Sequence, residues 1–115
     1  MGIVQTFLDS FSAAPEKAVE RSAEEQSRLE YELGTLSIYH FVTCPFCVRV
    51  RRAMSKLGVE IELRDIHRSR EHYDDLVEGG GSRQVPCLRI EGTDGTVEWL
   101  YESKDIVSYL ESRFA

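Results

Sequence analysis

From Leu36 onward the chain switches between two hydrophobic periods, and the switches mark its elements. "LSIYHF" (36–41) is rich in β-branched and aromatic residues and predicts a strand. The period then lengthens: Val50, Ala53, Met54 and Leu57 share one face of a helix predicted from Pro45 to about Leu57, with Gly58 as its C-cap. "VEIELRDI" (59–66) alternates with period two and predicts a second strand. "SREHYDDLVE" (69–78) predicts a helix capped by Ser69 and stopped by the glycines at 79–81. "QVPCLRI" (84–90) predicts a third strand, "EGTDGT" (91–96) a turn and "VEWLY" (97–101) the returning strand of a hairpin. The last element, "KDIVSYLESRF" (104–114), predicts a helix with Ser103 as N-cap and Ile106, Val107 and Leu110 turned to the core.

The order is β-α-β-α-β-β-α. A strand–helix–strand opening implies a parallel pair with a right-handed crossover, and the closing hairpin adds antiparallel strands. The expected product is an α/β domain over residues 35–115, a mixed four-stranded sheet flanked by helices, preceded by an N-terminal helical and charged extension over residues 1–34. In the extension, Ile3, Phe7 and Phe11, with Val4 and Leu8 beside them, form a short apolar stripe that Pro15 ends. A helix or tail packed on the domain is the expected role. Association with a membrane surface is the weaker reading, because the stripe lacks a Lys/Arg-rich polar face. "MGIVQT" also fits the short myristoylation pattern, which arises often by chance.

Composition narrows the function. The 115 residues are 42% hydrophobic and 30% charged, as in an ordinary folded domain, and the net charge of −6 argues against a nucleic-acid partner. Three cysteines are too few, and odd in number, for a secreted disulfide scaffold. With no secretory signal and no run of about 20 apolar residues, a cytoplasmic location is expected.

The chemistry centres on Cys44-Pro45-Phe46-Cys47, which could be half of a zinc site, a structural disulfide or a redox-active dithiol. Its place at a strand-to-helix junction inside a β-α-β unit favours the dithiol. Proline suits the first helical position, which puts Cys44 at the N-cap, where free N–H groups and the helix dipole stabilise a thiolate. Cys44 is then the attacking sulfur and Cys47, one turn further in, the resolving one. A Cys₃His zinc site from Cys44, Cys47, Cys87 and His40 is the rival. Covalent haem is excluded, since Val48 and not histidine follows Cys47.

Two further stretches bear on binding. In Gln84-Val85-Pro86 the proline either opens a strand or forms a cis bond that turns the Val85 backbone outward, where an extended peptide could pair with it. Around Ser103 a helix N-terminus offers free N–H groups to a carboxylate, and Arg83 could hold a second one. Arg49, Arg52 and Lys56 read as a solvated helix face that could also steer an acidic protein substrate. Cys87 reads as a buried structural thiol, Trp99 and Tyr101 as sheet packing, and His40, His67 and His72 as histidines without a cluster.

Together the strand, Cys-Pro-Phe-Cys, helix, Val-Pro and Glu-Ser at a helix start resemble the glutaredoxins. "RQVPCL" and "YESKDIVSYL" make the chain most similar to the glutaredoxin type that looks like the N-terminal domain of glutathione transferases, over about residues 36–114. The resemblance implies a thioredoxin-like fold and a glutathione-dependent thiol–disulfide oxidoreductase. Glutathione is then the reducing co-substrate, no metal is expected, and the partners are protein disulfides or glutathionylated proteins. It also implies a glutathione site of Cys44, Phe46, Arg83, Gln84, Val85, Pro86, Glu102 and Ser103. Within it the Val85 backbone meets the cysteinyl part and Glu102–Ser103 the γ-glutamyl end.

The sequence departs from that pattern in three places. Phe41 stands where many glutaredoxins carry a lysine for a glutathione carboxylate, which leaves that end to another cation such as Arg83. Gln84 stands where threonine is common. The sequence ends at Ala115 without the helical C-terminal domain of the transferases, so conjugation chemistry is less expected. A glutathione-ligated iron–sulfur cluster module and a zinc-stabilised interaction domain are the alternatives.

Overall fold

The computed structural model describes residues 21–115. The Ile3–Phe11 stripe, Pro15 and the Gly2 pattern lie outside the described residues.

A helix, α1 (Ala23–Leu33), comes first. Ser22 caps it by accepting from Glu25 N–H at 3.1 Å, while the Glu25 carboxylate accepts from Ser22 N–H at 3.0 Å. This reciprocal box satisfies two of the donors that a helix start leaves unpaired. Then follow β1 (Leu36–His40), α2 (Pro45–Leu57), β2 (Glu62–Asp65), α3 (Arg70–Asp75), β3 (Cys87–Glu91), β4 (Val97–Leu100) and α4 (Ser103–Phe114). The sheet order is β2-β1-β3-β4, with β1 and β2 parallel and the other two pairs antiparallel. The expected mixed sheet flanked by helices is the one observed.

β1 is buried along its whole length because it lies inside the sheet with helices on both sides. Its side chains alternate between two cores. Leu36 and Ile38, with Leu88 of β3, pack with Val50, Met54, Ile106 and Leu110 of α2 and α4. Leu29 and Leu33 of α1 join this core, so α1 packs on the domain. Tyr39 and Cys87, opposite each other across the ladder, pack instead with Ile66 and Leu76.

Several boundaries differ from the sequence reading. β2 covers Glu62–Asp65 alone, although Val59 and Ile61 ahead of it are buried. β3 begins at Cys87, which leaves Gln84–Pro86 as a loop before the strand, and β4 ends at Leu100, before Tyr101. Val107 is half-buried at the edge of the core. Ser69 does cap α3, accepting from His72 N–H at 3.2 Å.

The glycines at 79–81 do not simply stop that helix. The chain continues through a π-helical turn, Leu76–Gly80, and only Gly81, at φ +87°, takes the left-handed cap conformation. A Cβ on Gly79 would lie 2.5 Å from the Trp99 ring, and one on Gly80 would lie 2.2 Å from the Tyr101 hydroxyl. These two glycines permit close packing on β4, a tertiary demand that leaves no local signature.

Candidate active site

The topology gathers three segments at one edge of the sheet. β4 lies two antiparallel steps from β1 and so runs in the same direction. The C-terminal ends of β1 and β4, each feeding a helix, therefore meet the start of β3 there. At the opposite end Arg21 Nη2 donates to the carbonyls of Leu57 at 3.1 Å and Phe114 at 3.2 Å, joining the C-termini of α2 and α4. The two helices, 13 and 12 residues long, thus run side by side and turn both N-termini toward the same edge.

Cys44 occupies the N-cap of α2, and its sulfur accepts from the Cys47 N–H at 3.3 Å. Pro45 follows as the first helical residue, so the proline that has no N–H to offer stands where none is needed. A turn from Phe41 to Cys44, closed by Cys44 N–H on the Phe41 carbonyl at 3.2 Å, leads into the cap. Cys44 retains 5% of its surface, while Cys47 and Cys87 retain none. Burial, and then the bond to Cys44, push the Cys47 thiol up to about 12. Phe46, between the two cysteines, projects into solvent.

Behind the turn sits a pair that the sequence reading passed over. Arg51, on the turn of α2 after Cys47, donates through Nη2 to the Val42 carbonyl at 2.8 Å, and its Nη1 lies 3.0 Å from His40 Nδ1. A guanidinium only donates, so Nδ1 is the acceptor and the ring proton of neutral His40 is on Nε2. Burial and Arg51 lower the His40 pKa, against the raising field of Asp65. The sequence signal was a basic residue four positions after Cys47, hidden in a run of arginines.

The Val85–Pro86 peptide bond is cis. The ladder that pairs Tyr39 with Cys87 brings this loop alongside the end of β1, and Val85 and Phe41 pack against the same core. Neither backbone polar group of Val85 is hydrogen-bonded among the described residues. Phe41, where a lysine was a family expectation, stacks on His67 at 4.1 Å with 15° between the rings.

α4 starts one residue earlier than expected: Glu102 is its N-cap and Ser103, buried, its first helical residue. No side chain caps it. The Glu102 carboxylate instead accepts from Gln84 Nε2 at 3.5 Å, which ties the cis-proline loop to the start of α4. Gln84 and Glu102 are thus brought together, as are Cys44 and Cys47. Arg83 is exposed and no contact orients it toward them. Tyr101 donates to the Ser82 carbonyl at 3.2 Å and also meets Cys87, whose thiol burial pushes up to about 12. Among the described residues no three or more His, Cys, Asp or Glu side chains form a metal-ligand group, so His40 and Cys87 do not join the dithiol in one. None of the described helices is long and apolar enough to cross a membrane.

Residues 38–115 match a family model described as "Glutathione S-transferase, N-terminal domain". No curated protein matches the chain. Among solved structures, the trimeric glutathione transferase TDR1 from Leishmania superposes with a TM-score of 0.57 at 26% identity, over 70% of this chain and 18% of its own. A maleylacetoacetate isomerase from Anaeromyxobacter dehalogenans 2CP-1, with GSH bound in its active site, gives 0.53 at 27% identity over 70% of this chain and 38% of its own. The present chain therefore spans less than two fifths of either relative. The thioredoxin-like protein BC3987 shares the fold, with a TM-score of 0.52 at 23% identity over 65% of this chain and 97% of its own. With its thioredoxin-like fold and a family match over most of its length, the chain belongs to the glutathione S-transferase N-terminal domain family.

Proposed function

We propose that the protein is a glutathione-dependent thiol–disulfide oxidoreductase of the glutaredoxin kind. The observation that carries this reading is the inequality of the two cysteines. Cys44 sits at a helix start with an N–H on its sulfur, while Cys47 lies one turn deeper, fully buried and hard to ionise.

The cycle starts with the Cys44 thiolate attacking a sulfur of a glutathionylated client. The client–glutathione S–S bond breaks, the client leaves as a thiolate that takes up a proton, and Cys44 is joined to glutathione. A second glutathione thiolate then attacks the glutathione sulfur of that mixed disulfide, which frees Cys44 and yields oxidised glutathione. Cys47 offers the other exit: it loses its proton, attacks Cys44 and expels glutathione, and two glutathiones later reduce the Cys44–Cys47 disulfide. Part of what holds the Cys47 proton is the Cys44 sulfur itself, and that part vanishes once Cys44 is in the mixed disulfide. Burial persists, which favours the route through the second glutathione.

For glutathione itself, the unpaired Val85 backbone supports strand-like pairing with the cysteinyl residue, beside Pro86 and Gln84. The open first turn of α4 at Ser103 accepts the γ-glutamyl carboxylate, and Glu102 takes its ammonium. Arg83 supplies the cation for the glycyl carboxylate in place of a lysine at 41, and Phe46 flanks the sulfur.

The test is a glutathione-coupled assay on a glutathionylated peptide and on a protein disulfide. Cys44→Ser should abolish both activities; Cys47→Ser should keep the first and lose the second. Full activity of Cys44→Ser would refute the proposal.

A further inference from the structure

α2 and α4 leave a cleft of about 530 Å³ between them, on the face away from the sheet. Its walls carry Arg49, Arg52 and Lys56 from α2 and Lys104 from α4, over a floor that includes Ala53 and Val107. All four cations are exposed, and none makes an ion pair or hydrogen bond among the described residues. Among the described residues Glu111 is the only carboxylate lining the cleft. Four unpaired cations against one carboxylate form a local positive field on a chain whose net charge is −6.

Given the redox function proposed above, on which this rests, we infer that the α2–α4 cleft docks an acidic, amphipathic segment of the client protein. Two features point to a protein segment. The floor is apolar, which suits side chains at helical spacing more than a phosphate backbone. The cleft is also concave, which a flat membrane surface does not fill. Position links docking to chemistry: along a helix that rises about 1.5 Å per residue, Arg49 lies roughly 7 Å and Lys56 roughly 18 Å from Cys44. A segment seated there holds a nearby client sulfur at the exposed end of α2, past Phe46. Exposed charge pairs each contribute little, so the cleft acts as a selector among clients and an accelerator of encounter.

The test uses a synthetic peptide with Leu and Ala on one helical face, Glu on the other and a short linker to a glutathionylated cysteine. A twin carries Lys for Glu, and 2-hydroxyethyl disulfide serves as a neutral small substrate. The acidic peptide should be turned over with kcat/KM about tenfold above its twin, a ratio that falls toward one as ionic strength rises from about 20 to about 300 mM. Arg52→Glu with Lys56→Glu should erase the preference and leave the neutral substrate unchanged. Lys104→Glu, on the opposite wall, should weaken it independently. An unchanged preference in these variants overturns the proposal, as does tighter cleft-dependent binding of a single-stranded oligonucleotide or of anionic vesicles. Anisotropy with a cysteine-free acidic peptide separates the two readings: cleft-dependent binding without any turnover would sink the redox function and sustain the cleft. Turnover of the neutral disulfide without peptide preference would do the reverse.

Discussion

Arg51 Nη1 lies 3.0 Å from His40 Nδ1, and the same guanidinium holds the Val42 carbonyl at 2.8 Å, so one buried ring sets the grip on the turn that delivers Cys44. Protonating His40 would place two donors nose to nose. With its folded pKa below the ordinary 6.5, the native state binds fewer protons than the unfolded chain once the pH falls to that value. The stability that neutral His40 contributes is therefore present above about pH 6.5 and lost below it. Urea denaturation should show the wild type weakening between about pH 7.5 and 5.5 more than His40→Asn, which keeps an acceptor for Arg51 but cannot titrate. Equal pH dependence of the two would remove His40 from this role.

The three thiols should separate cleanly by reactivity. Cys44 alone retains any surface, and Cys47 and Cys87 are both pushed up to about 12. Iodoacetamide near neutral pH should place one label on the native protein, located at Cys44 by peptide mass mapping. Cys44→Ser should take up almost none. Prompt labelling of Cys87 would show that the core around Tyr39 opens readily.

Gly79→Ala sets a methyl 2.5 Å from the Trp99 ring, so the ring or the π-helical turn must shift to make room. A loss of about 1–3 kcal/mol is expected. Trp99 is the single tryptophan, so its fluorescence should shift even before unfolding. Because the π-helical turn leads into the Arg83–Pro86 loop, KM for glutathione should rise as well. Wild-type stability and spectrum would mean that the contact gives way at no cost.

Glu102→Gln removes the carboxylate assigned to the γ-glutamyl ammonium while preserving the helix start. A charge-assisted bond of about 1.5–3 kcal/mol translates into roughly a 10- to 150-fold rise in KM for glutathione, with kcat little changed. If KM stays put, the γ-glutamyl end binds elsewhere.

Much of the fold could be read along the chain because its elements switch period sharply. Pro45 and Gly58 bracket α2 by chemistry that depends only on the local backbone, and the Cys44 cap follows from them. The same rule misplaces Ser103: serine is a strong cap, yet Ser103 is the first helical residue and the cap is Glu102, whose side chain turns to Gln84, 18 positions away in sequence. The glycines at 79–81 carry a stop signal in sequence, but the packing of Trp99 and Tyr101 uses two of them as clearance. Arg51 stayed hidden for a similar reason. Its partners Val42 and His40 lie on the preceding loop and strand, and only the docking of α2 on β1 joins them.

Two helices lying side by side and pointing the same way repel, since their like poles are adjacent. At the edge that bears the sulfur this is useful, for an incoming anion meets two positive poles at once. At the far end it is a liability, and Arg21 sits between the Leu57 and Phe114 carbonyls as the counter-charge. Arg21, just ahead of the Ser22 cap of α1, thus helps to keep the two helices in register, so the chemistry at one edge depends on a cation at the other.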